Sequence, residues 1–260
     1  MVNIADSSSS LLAERMAAGG VLWCSGLFLS ARWFVMSSLA RKGVHLVVMP
    51  NAEAAEYCAS DLYTLVDGDR VFYLPDSGRN IERSNYKSSL TVQRTSAIAS
   101  LLSPDDGFLI LVSYPEALAE GIPSGVSIKS SLINLKKGGS IGRERLRERL
   151  VENSFEKVDF VSAPGQFALR GSIVDIFSYS FNDPFRISFF GDEIEKISVF
   201  DCNTQLSREE KEEVDICPDL AAGEEGESLL TDLLPSDATL WLDMVITQVW
   251  NILRVTKKLK

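Results

Sequence analysis

Four runs of mainly apolar residues most constrain the fold of the first half of this chain. They are VLWCSG at 21–26, VHLVVMP at 44–50, RVFYLPD at 70–76 and GFLILVSY at 107–114. Between and before these runs lie segments with helical patterns, at residues 7–19, 30–43, 51–65 and 91–103. Strands that are apolar along their whole length are typical of a parallel sheet covered on both faces by helices. The pattern predicts that residues 1–125 form the first part of a doubly wound α/β domain.

The pattern changes near Ile122, which predicts a second and smaller domain. Residues 127–139 (SIKSSLINLKKGG) have the pattern of extended structure. A helix is predicted over 140–155, with Ser140 as its N-cap and an apolar stripe formed by Leu146, Leu150, Val151 and Phe155. Three strand patterns separated by turn residues follow, which is typical of an antiparallel meander. We therefore expect an α+β domain with an antiparallel sheet at residues 126–206.

The last part of the chain is predicted to return to the first domain. Residues 208–227 are strongly acidic and predict a solvated loop or an interdomain crossing. Apolar residues at helical spacing follow from residue 229 to the end, and no capping residue closes that pattern. We expect residues 207–260 to be a return segment of the first domain and the chain to be a piece of a longer protein.

Composition indicates an ordinary globular protein. Of the 260 residues, 45% are hydrophobic and 24% are charged, and no apolar stretch approaches the ~20 residues of a membrane span. The N-terminus lacks the pattern of a secretory signal, so a cytoplasmic location is expected. The four cysteines lie far apart and His45 is the only histidine, which predicts buried free thiols and no metal site. The formal net charge of −10 argues against strong autonomous DNA binding.

The turn after the first predicted strand is where a nucleotide phosphate sits in a doubly wound domain. A phosphate loop requires two glycines followed by a lysine. In WCSGLFLSAR (23–32) only Gly26 is present, Leu27, Phe28 and Leu29 are expected to fill the space, and no lysine follows. The sequence therefore predicts a degenerate phosphate loop and no bound cofactor.

Two predicted strands of the second domain carry arginines and a phenylalanine on the face that is expected to be exposed to solvent. Period-two alternation in FRISFF (185–190) assigns one face to Phe185, Ile187 and Phe189 and the other to Arg186, Ser188 and Phe190. In FALRGS (167–172) the same rule turns Phe167 and Leu169 inward and Arg170 outward.

If these two strands are hairpin partners, Arg170, Arg186 and Phe190 form one solvent-exposed cluster outside the core. Arginine and aromatic residues are enriched at interface hot spots, so the cluster is a candidate partner-binding site. The alternative is that Phe190 covers a neighbouring helix and both arginines are merely solvated.

Asp175, near a strand end, is interpreted as a turn residue or a backbone hydrogen-bonding group, and GDE at 191–193 as a turn.

The run from GQFALRGSIVDIF (165–177) to DPFRISFFGDEIEKISVFDCNTQLS (183–207) resembles a signature shared by the excision-repair protein UvrB and the N-terminal region of bacterial transcription-repair coupling factors (Mfd). The chain departs from the family pattern at Ser178, where proline is usual, and at Leu206, where arginine is usual. UvrB keeps the lysine of its phosphate loop and the coupling factors do not. The degenerate loop therefore favours the coupling factors.

This resemblance implies a first domain split in sequence around an inserted second domain, and that the second domain docks the repair ATPase UvrA. The residues implicated in docking fall on Arg170, Arg186 and Phe190. It further implies a non-catalytic module that recruits UvrA to stalled RNA polymerase. The longer protein would be an ATP-dependent DNA translocase, whose contacts with RNA polymerase and DNA, and whose ATP and Mg, belong to parts absent here.

Two alternatives from other classes stay open. One is a fragment of a UvrB-type DNA-damage-recognition ATPase, which a lysine in the first turn would have favoured. The other is a nucleic-acid-binding module in its own right, which the acidic balance opposes.

The phosphate-loop prediction has a direct test. Because no lysine and only one glycine stand in residues 23–32, we expect calorimetric titration of the chain with Mg·ATP to give no measurable heat of binding. A micromolar dissociation constant would contradict the prediction and favour the UvrB-type alternative.

Overall fold

A computed structural model describes residues 29–66, 68–78, 84–102, 107–221 and 228–243, together with scattered positions between 12 and 27. The first elements along the chain are α1 (Ala31–Leu39), β1 (Gly43–Val48), α2 (Ala52–Leu65), β2 (Val71–Tyr73), α3 (Ser84–Ser100), β3 (Phe108–Ser113) and α4 (Pro115–Ala119). The later elements are α5 (Gly125–Ser131), β4 (Ile133–Lys136), α6 (Arg143–Glu152), β5 (Glu156–Lys157), β6 (Gln166–Arg170), β7 (Ile173–Ile176), β8 (Phe185–Phe190), β9 (Glu193–Phe200), β10 (Ser207–Lys211), β11 (Glu213–Ile216) and β12 (Thr239–Leu242).

The chain divides into two compact units. The first contains residues 1–74, 103–116 and 234–260, and the second contains residues 75–102 and 117–233. The boundaries expected from the sequence, after residues 125 and 206, stay a prediction.

The first unit is a parallel sheet with helices. Its four strands lie in the order β12-β1-β3-β2, and every neighbouring pair is parallel. The central strands β1 and β3 are almost entirely buried, which is why their sequences are apolar at consecutive positions. A mixed α/β fold with a parallel sheet, expected from the apolar runs, is confirmed.

Not all of the predicted elements of the first unit match the structure. Residues 239–242 are predicted to be helical but form β12, since the short segment TLWL pairs in parallel with β1. Helix α1 ends at Leu39 rather than at Gly43, which begins β1 instead. The predicted first helix and first strand lie largely outside the described residues.

The phosphate-loop region is only partly described, because Gly26 and Phe28 lie outside the described residues. Leu27 and Leu29 are 37% and 85% exposed, respectively. The expectation that these leucines fill the space of a phosphate is therefore wrong for Leu29, which points mostly into solvent.

The second unit contains a six-stranded sheet in the order β10-β9-β8-β7-β6-β5 and a two-stranded sheet formed by β4 and β11. Strands β6 to β9 form the predicted antiparallel meander. However, β7 lies between β6 and β8, so the two strands that carry Arg170 and Arg186 are not hairpin partners. The core on the inward face of this sheet includes Phe167, Val174, Ile176, Phe185, Ile187, Phe189 and Ile197.

The segment before the meander differs from its prediction in three ways. Residues 125–131 form α5, whose N-cap Ser124 accepts a hydrogen bond from the Ser127 N–H, rather than extended structure. Helix α6 begins at Arg143 after Gly142, because Ser140 is instead bridged to Glu193. Of the predicted apolar stripe, Leu146, Leu150 and Phe155 are buried, while Val151 is 54% exposed.

The acidic segment after residue 206 is partly β structure rather than loop. Strand β10 pairs with β9, and β11 pairs with β4. Val214 and Ile216 alternate with acidic residues in β11 and are buried, which supplies the driving force for that strand. Both strands lie in the second unit.

The four cysteines are free thiols in different surroundings. Cys58 and Cys217 are buried, as predicted, Cys202 is partly buried and Cys24 is exposed, contrary to prediction. Burial raises the pKa of the Cys58 and Cys217 thiols to about 12. Among the described residues, no group of candidate ligands could hold a metal ion, and no helix combines the length and apolar character needed to cross a membrane.

Thiol modification is expected to report on each unit separately. A thiol-specific reagent should modify Cys24 first and Cys202 more slowly, because burial and the nearby Asp201 carboxylate raise the pKa of Cys202. Cys58 and Cys217 should react only when their unit unfolds. Peptide mapping by mass spectrometry along a urea series measures this, and modification of either buried thiol at the rate of Cys24 in native buffer would contradict the burial described here.

A histidine joins two strands of the first unit. In β1, the buried His45 accepts a hydrogen bond at Nδ1 from the Trp241 indole N–H of β12, over 3.2 Å. Its Nε2 lies 3.2 Å from the Lys42 carbonyl oxygen, so Nε2 carries the proton of the neutral ring. Both nitrogens are therefore satisfied without a positive charge, and burial lowers the pKa of His45.

Acid is expected to weaken the first unit through His45. Because the folded pKa lies below the unfolded value of about 6.5, the unfolded chain binds more protons below that pH. The contribution of His45 to the free energy of unfolding should be complete above pH ~6.5 and decline as the pH falls toward the folded pKa. Urea unfolding between pH 7.5 and 5 measures it, and in His45→Gln this part of the decline should be missing; an unchanged slope would contradict the prediction.

Candidate functional site

The outward face of the six-stranded sheet is organised around a buried carboxylate. Asp175 of β7 has no exposed surface and lies directly opposite Arg186 of β8. Arg186 donates from Nε to Asp175 Oδ1 over 2.7 Å and from Nη2 to Oδ2 over 3.0 Å. Arg170 of β6 also donates from Nη2 to Asp175 Oδ2. One carboxylate therefore holds arginines from the two strands that flank its own.

Arg186 is almost completely engaged within the unit. Its Nη1 donates to the Gln205 carbonyl oxygen over 3.0 Å and its Nη2 to Gln205 Oε1 over 3.2 Å. Its guanidinium also lies 4.4 Å from the centre of the Phe200 ring. The hydrogen bond to Asp175 raises the pKa of Arg186 above its ordinary value, so it stays charged. With a side chain only 17% exposed, Arg186 is not the solvent-exposed residue that the sequence predicts, because the buried carboxylate draws it inward.

Arg170 is held less completely. Its side chain is 35% exposed. Besides Asp175, the described residues that it contacts are Gln205, at Oε1 over 3.4 Å, and Phe160, whose ring centre is 5.2 Å away. Both hydrogen bonds leave from Nη2. Its Nε and Nη1 have no hydrogen-bond partner within the part of the chain that the structure describes.

Phe190 stands apart from the two arginines. It ends β8 on the same face as Arg186 but four residues further on, a separation of roughly 13 Å at ~3.3 Å per residue. Its exposure of 80% excludes the alternative that it covers a neighbouring helix. The turn predicted after it is confirmed at Gly191, whose φ of 63° favours glycine. The predicted cluster is thus two separate spots on one face.

Sequence reasoning predicted the faces of the strands but missed two residues of the network. Asp175 is a network centre rather than a turn residue; the signal was a carboxylate between the apolar Val174 and Ile176, which must be neutralised if that strand is buried. Gln205 adopts a left-handed backbone, with φ of 61°, in a loop that bends over the arginines. No simple sequence pattern indicates that contact.

Comparison with known proteins places this surface in a defined family. Residues 133–221, which include both arginines and Phe190, match the protein-family model described as the UvrB interaction domain. The chain is 31% identical over 198 residues to the transcription-repair-coupling factor of Bacillus subtilis, covering 75% of this chain and 17% of that protein. The factor of Mycobacterium bovis is 34% identical over 185 residues, covering 68% of this chain and 15% of that protein.

UvrB proteins are also similar. The UvrABC system protein B of Streptococcus uberis is 35% identical over 127 residues, covering 48% of this chain and 19% of that protein. Residues 133–221 therefore form a UvrB interaction domain. About two thirds to three quarters of the chain is homologous to the transcription-repair coupling factors, and about half of it is homologous to UvrB. The chain spans about a fifth or less of the length of the relatives described above.

Single substitutions are expected to separate fold from surface. Arg186→Ala should lower the free energy of unfolding of the second unit by about 3 kcal/mol, because buried Asp175 would keep only Arg170 as an ionic partner. Phe190→Ala should change it by less than ~0.5 kcal/mol. Its neighbour Phe189, buried in the core, should lose roughly 3–5 kcal/mol on truncation to alanine. Urea unfolding, monitored by modification of Cys217, measures all three changes. An Arg186→Ala variant as stable as the unsubstituted chain would contradict the structural role of the Arg186–Asp175 ion pair.

Proposed function

We propose that this chain is a non-catalytic docking module of a transcription-repair coupling factor, and that its second unit recruits UvrA to stalled RNA polymerase. The observation that carries the proposal is Phe190, a phenylalanine that is 80% exposed at a strand end inside the UvrB interaction domain. A large apolar side chain held in solvent by a rigid sheet loses little conformational entropy when a partner covers it. The resemblance described above assigns UvrA as that partner.

The two arginines contribute differently to the proposed docking. Arg186 supports the face from within, since the carboxylate of Asp175 and the loop at Gln205 engage it. Arg170 keeps donors that face solvent and can contact a partner directly. This division of roles refines the expectation that both arginines bind UvrA in the same way.

The proposal extends to the arrangement of the chain. The first unit is taken as a nucleotide-binding type of domain with a degenerate phosphate loop, and the second unit as an insertion into it. The parallel pairing of β12 with β1 supports the insertion, since the chain rejoins the first sheet after the second unit. Contacts with RNA polymerase and DNA, and the ATP-dependent motor, are assigned to parts of the longer protein.

The alternative, a fragment of a UvrB-type DNA-damage-recognition ATPase, is supported by the similarity to UvrABC system protein B. The two proposals differ in nucleotide binding, so the titration with Mg·ATP distinguishes them. An ATP-hydrolysing role for this fragment would require a positive result in that titration.

A binding measurement tests the docking proposal. Purified UvrA should bind the chain, and Phe190→Ala should weaken binding about thirtyfold, the loss of ~2 kcal/mol typical of a hot spot. Tyr57→Ala is the matched control, because Tyr57 is 68% exposed but belongs to the first unit. The proposal is contradicted if the unsubstituted chain does not bind UvrA, or if the Phe190→Ala variant binds UvrA with the same affinity as the unsubstituted chain.

A further inference from the structure

Within the proposed docking function, on which this inference rests, we propose two further contact residues, Phe160 and Leu206: they flank Arg170, and the partner presents a carboxylate to Arg170 between them. We call these three residues the Arg170 spot. Phe160 and Leu206 were not among the residues predicted for docking.

The first argument is the hydrogen-bonding capacity of Arg170. A guanidinium has five N–H donors, and Arg186 makes four hydrogen bonds within the unit. Arg170 makes two, both from Nη2, which leaves Nε and Nη1 without a partner in the described part of the chain. Nε–H and the Nη1 donors point in different directions from the planar guanidinium, so each can donate a single charge-assisted hydrogen bond to an oxygen of an external carboxylate. Of the two arginines, Arg170 is therefore the one able to bind an external group.

The second argument is charge. Asp175 neutralises only one of the two guanidinium groups that it holds, so this trio carries a surplus positive charge in a chain whose net charge is −10. The nearby carboxylates of Asp183 and Asp201 share the single guanidinium of Arg208, so the surplus positive charge is local to the trio and does not extend over the wider surface. The surplus charge on the trio favours an anionic group of the partner.

The third argument is the apolar surface beside Arg170. Phe160 is 63% exposed, and its ring lies under the Arg170 guanidinium. Leu206 is 67% exposed and follows Gln205, whose side chain contacts Arg170. A partner that covers both side chains would exclude water from the arginine, which strengthens a charge-assisted hydrogen bond. The matching partner surface is thus an Asp or Glu side chain flanked by aliphatic or aromatic residues, rather than a fully polar acidic cluster.

The Arg170 spot and Phe190 are close enough for one partner to cover both. They lie on the same face of the meander. Arg170 is opposite Ile173 and Ile173 is opposite Ser188, so the Cα atoms of Arg170 and Phe190 are two strands and two residues apart, roughly 12 Å. A standard interface covers about 800 Å² on each partner, which is wider than this separation. The proposed occupant is therefore the same protein, UvrA, contacting the face at two points.

The test compares matched substitutions in the full 260-residue chain, with purified UvrA as the probe. Phe160→Ser and Leu206→Ser should each weaken binding about five- to tenfold. Val126→Ser is the control, since Val126 is 81% exposed in the same unit but lies on α5. Protection of Cys217 from modification establishes that each variant is folded.

Arg170→Gln tests the carboxylate contact, because it removes the charge and keeps a polar side chain, although a shorter one. For Arg170→Gln, binding should weaken at least tenfold at low salt, and the affinity should depend less steeply on salt concentration. For Leu206→Ser, the loss of affinity should be the same at every salt concentration, because no charge is removed.

The outcomes distinguish this inference from the docking function itself. If Phe190→Ala weakens binding while Phe160→Ser, Leu206→Ser and Arg170→Gln all bind like the unsubstituted chain, the Arg170 spot is refuted and the docking function stands. If Arg170→Gln alone weakens binding, the apolar part of the spot is refuted. If the unsubstituted chain does not bind UvrA, both proposals fail together.

Discussion

The outward face of the second unit depends on one buried carboxylate. Asp175 must be ionically paired, because an isolated charge inside a protein is far less stable than the same charge in water. Its partners come from the strands on either side, so the requirement for pairing also sets the register of three neighbouring strands. The loop containing Gln205 then bends over the same arginines and completes the network. A polar network placed on the outward face of a sheet can in this way determine which side chains the sheet presents to solvent as well as how its strands align.

The two arginines show why residue type alone does not define a binding site. Both are outward-facing by strand periodicity, and both contact the same carboxylate. They differ in how many of their N–H donors have a hydrogen-bond partner within the unit. This difference comes from the loop at Gln205, which contacts Arg186 through both its backbone and its side chain but contacts Arg170 through its side chain alone. A loss of binding on substitution would therefore have a different cause at each position: a disturbed surface for Arg186 and a lost contact for Arg170.

The sequence predicts those parts of the fold in which side-chain periodicity reflects burial. The strands β1 and β3, the capped helix α2 and the alternating faces of β8 are predicted because burial acts locally on each residue. The strand β12 and the role of Asp175 are not, since both depend on partners distant in the chain. Exposed Phe190 was predictable because an aromatic residue on the polar phase of a strand has no core to enter. The separation of Phe190 from Arg186 also follows from their spacing on one strand, whereas the position of Arg170 does not, because it depends on β7 lying between β6 and β8.

The pairing of β12 with β1 also has a consequence for synthesis on the ribosome. β1 can pair with β3 once residue 113 has emerged, but its other edge has to wait for residue 242. At about 5–20 residues per second, that edge stays open for roughly 6–26 s, during which the larger part of the second unit, residues 117–233, is translated. An apolar strand with an unpaired edge is a site for association with other nascent chains. Because translation sets the length of this interval, faster folding of the second unit would not shorten it. Chaperone binding to the open edge of β1 would protect the chain until β12 has been synthesised.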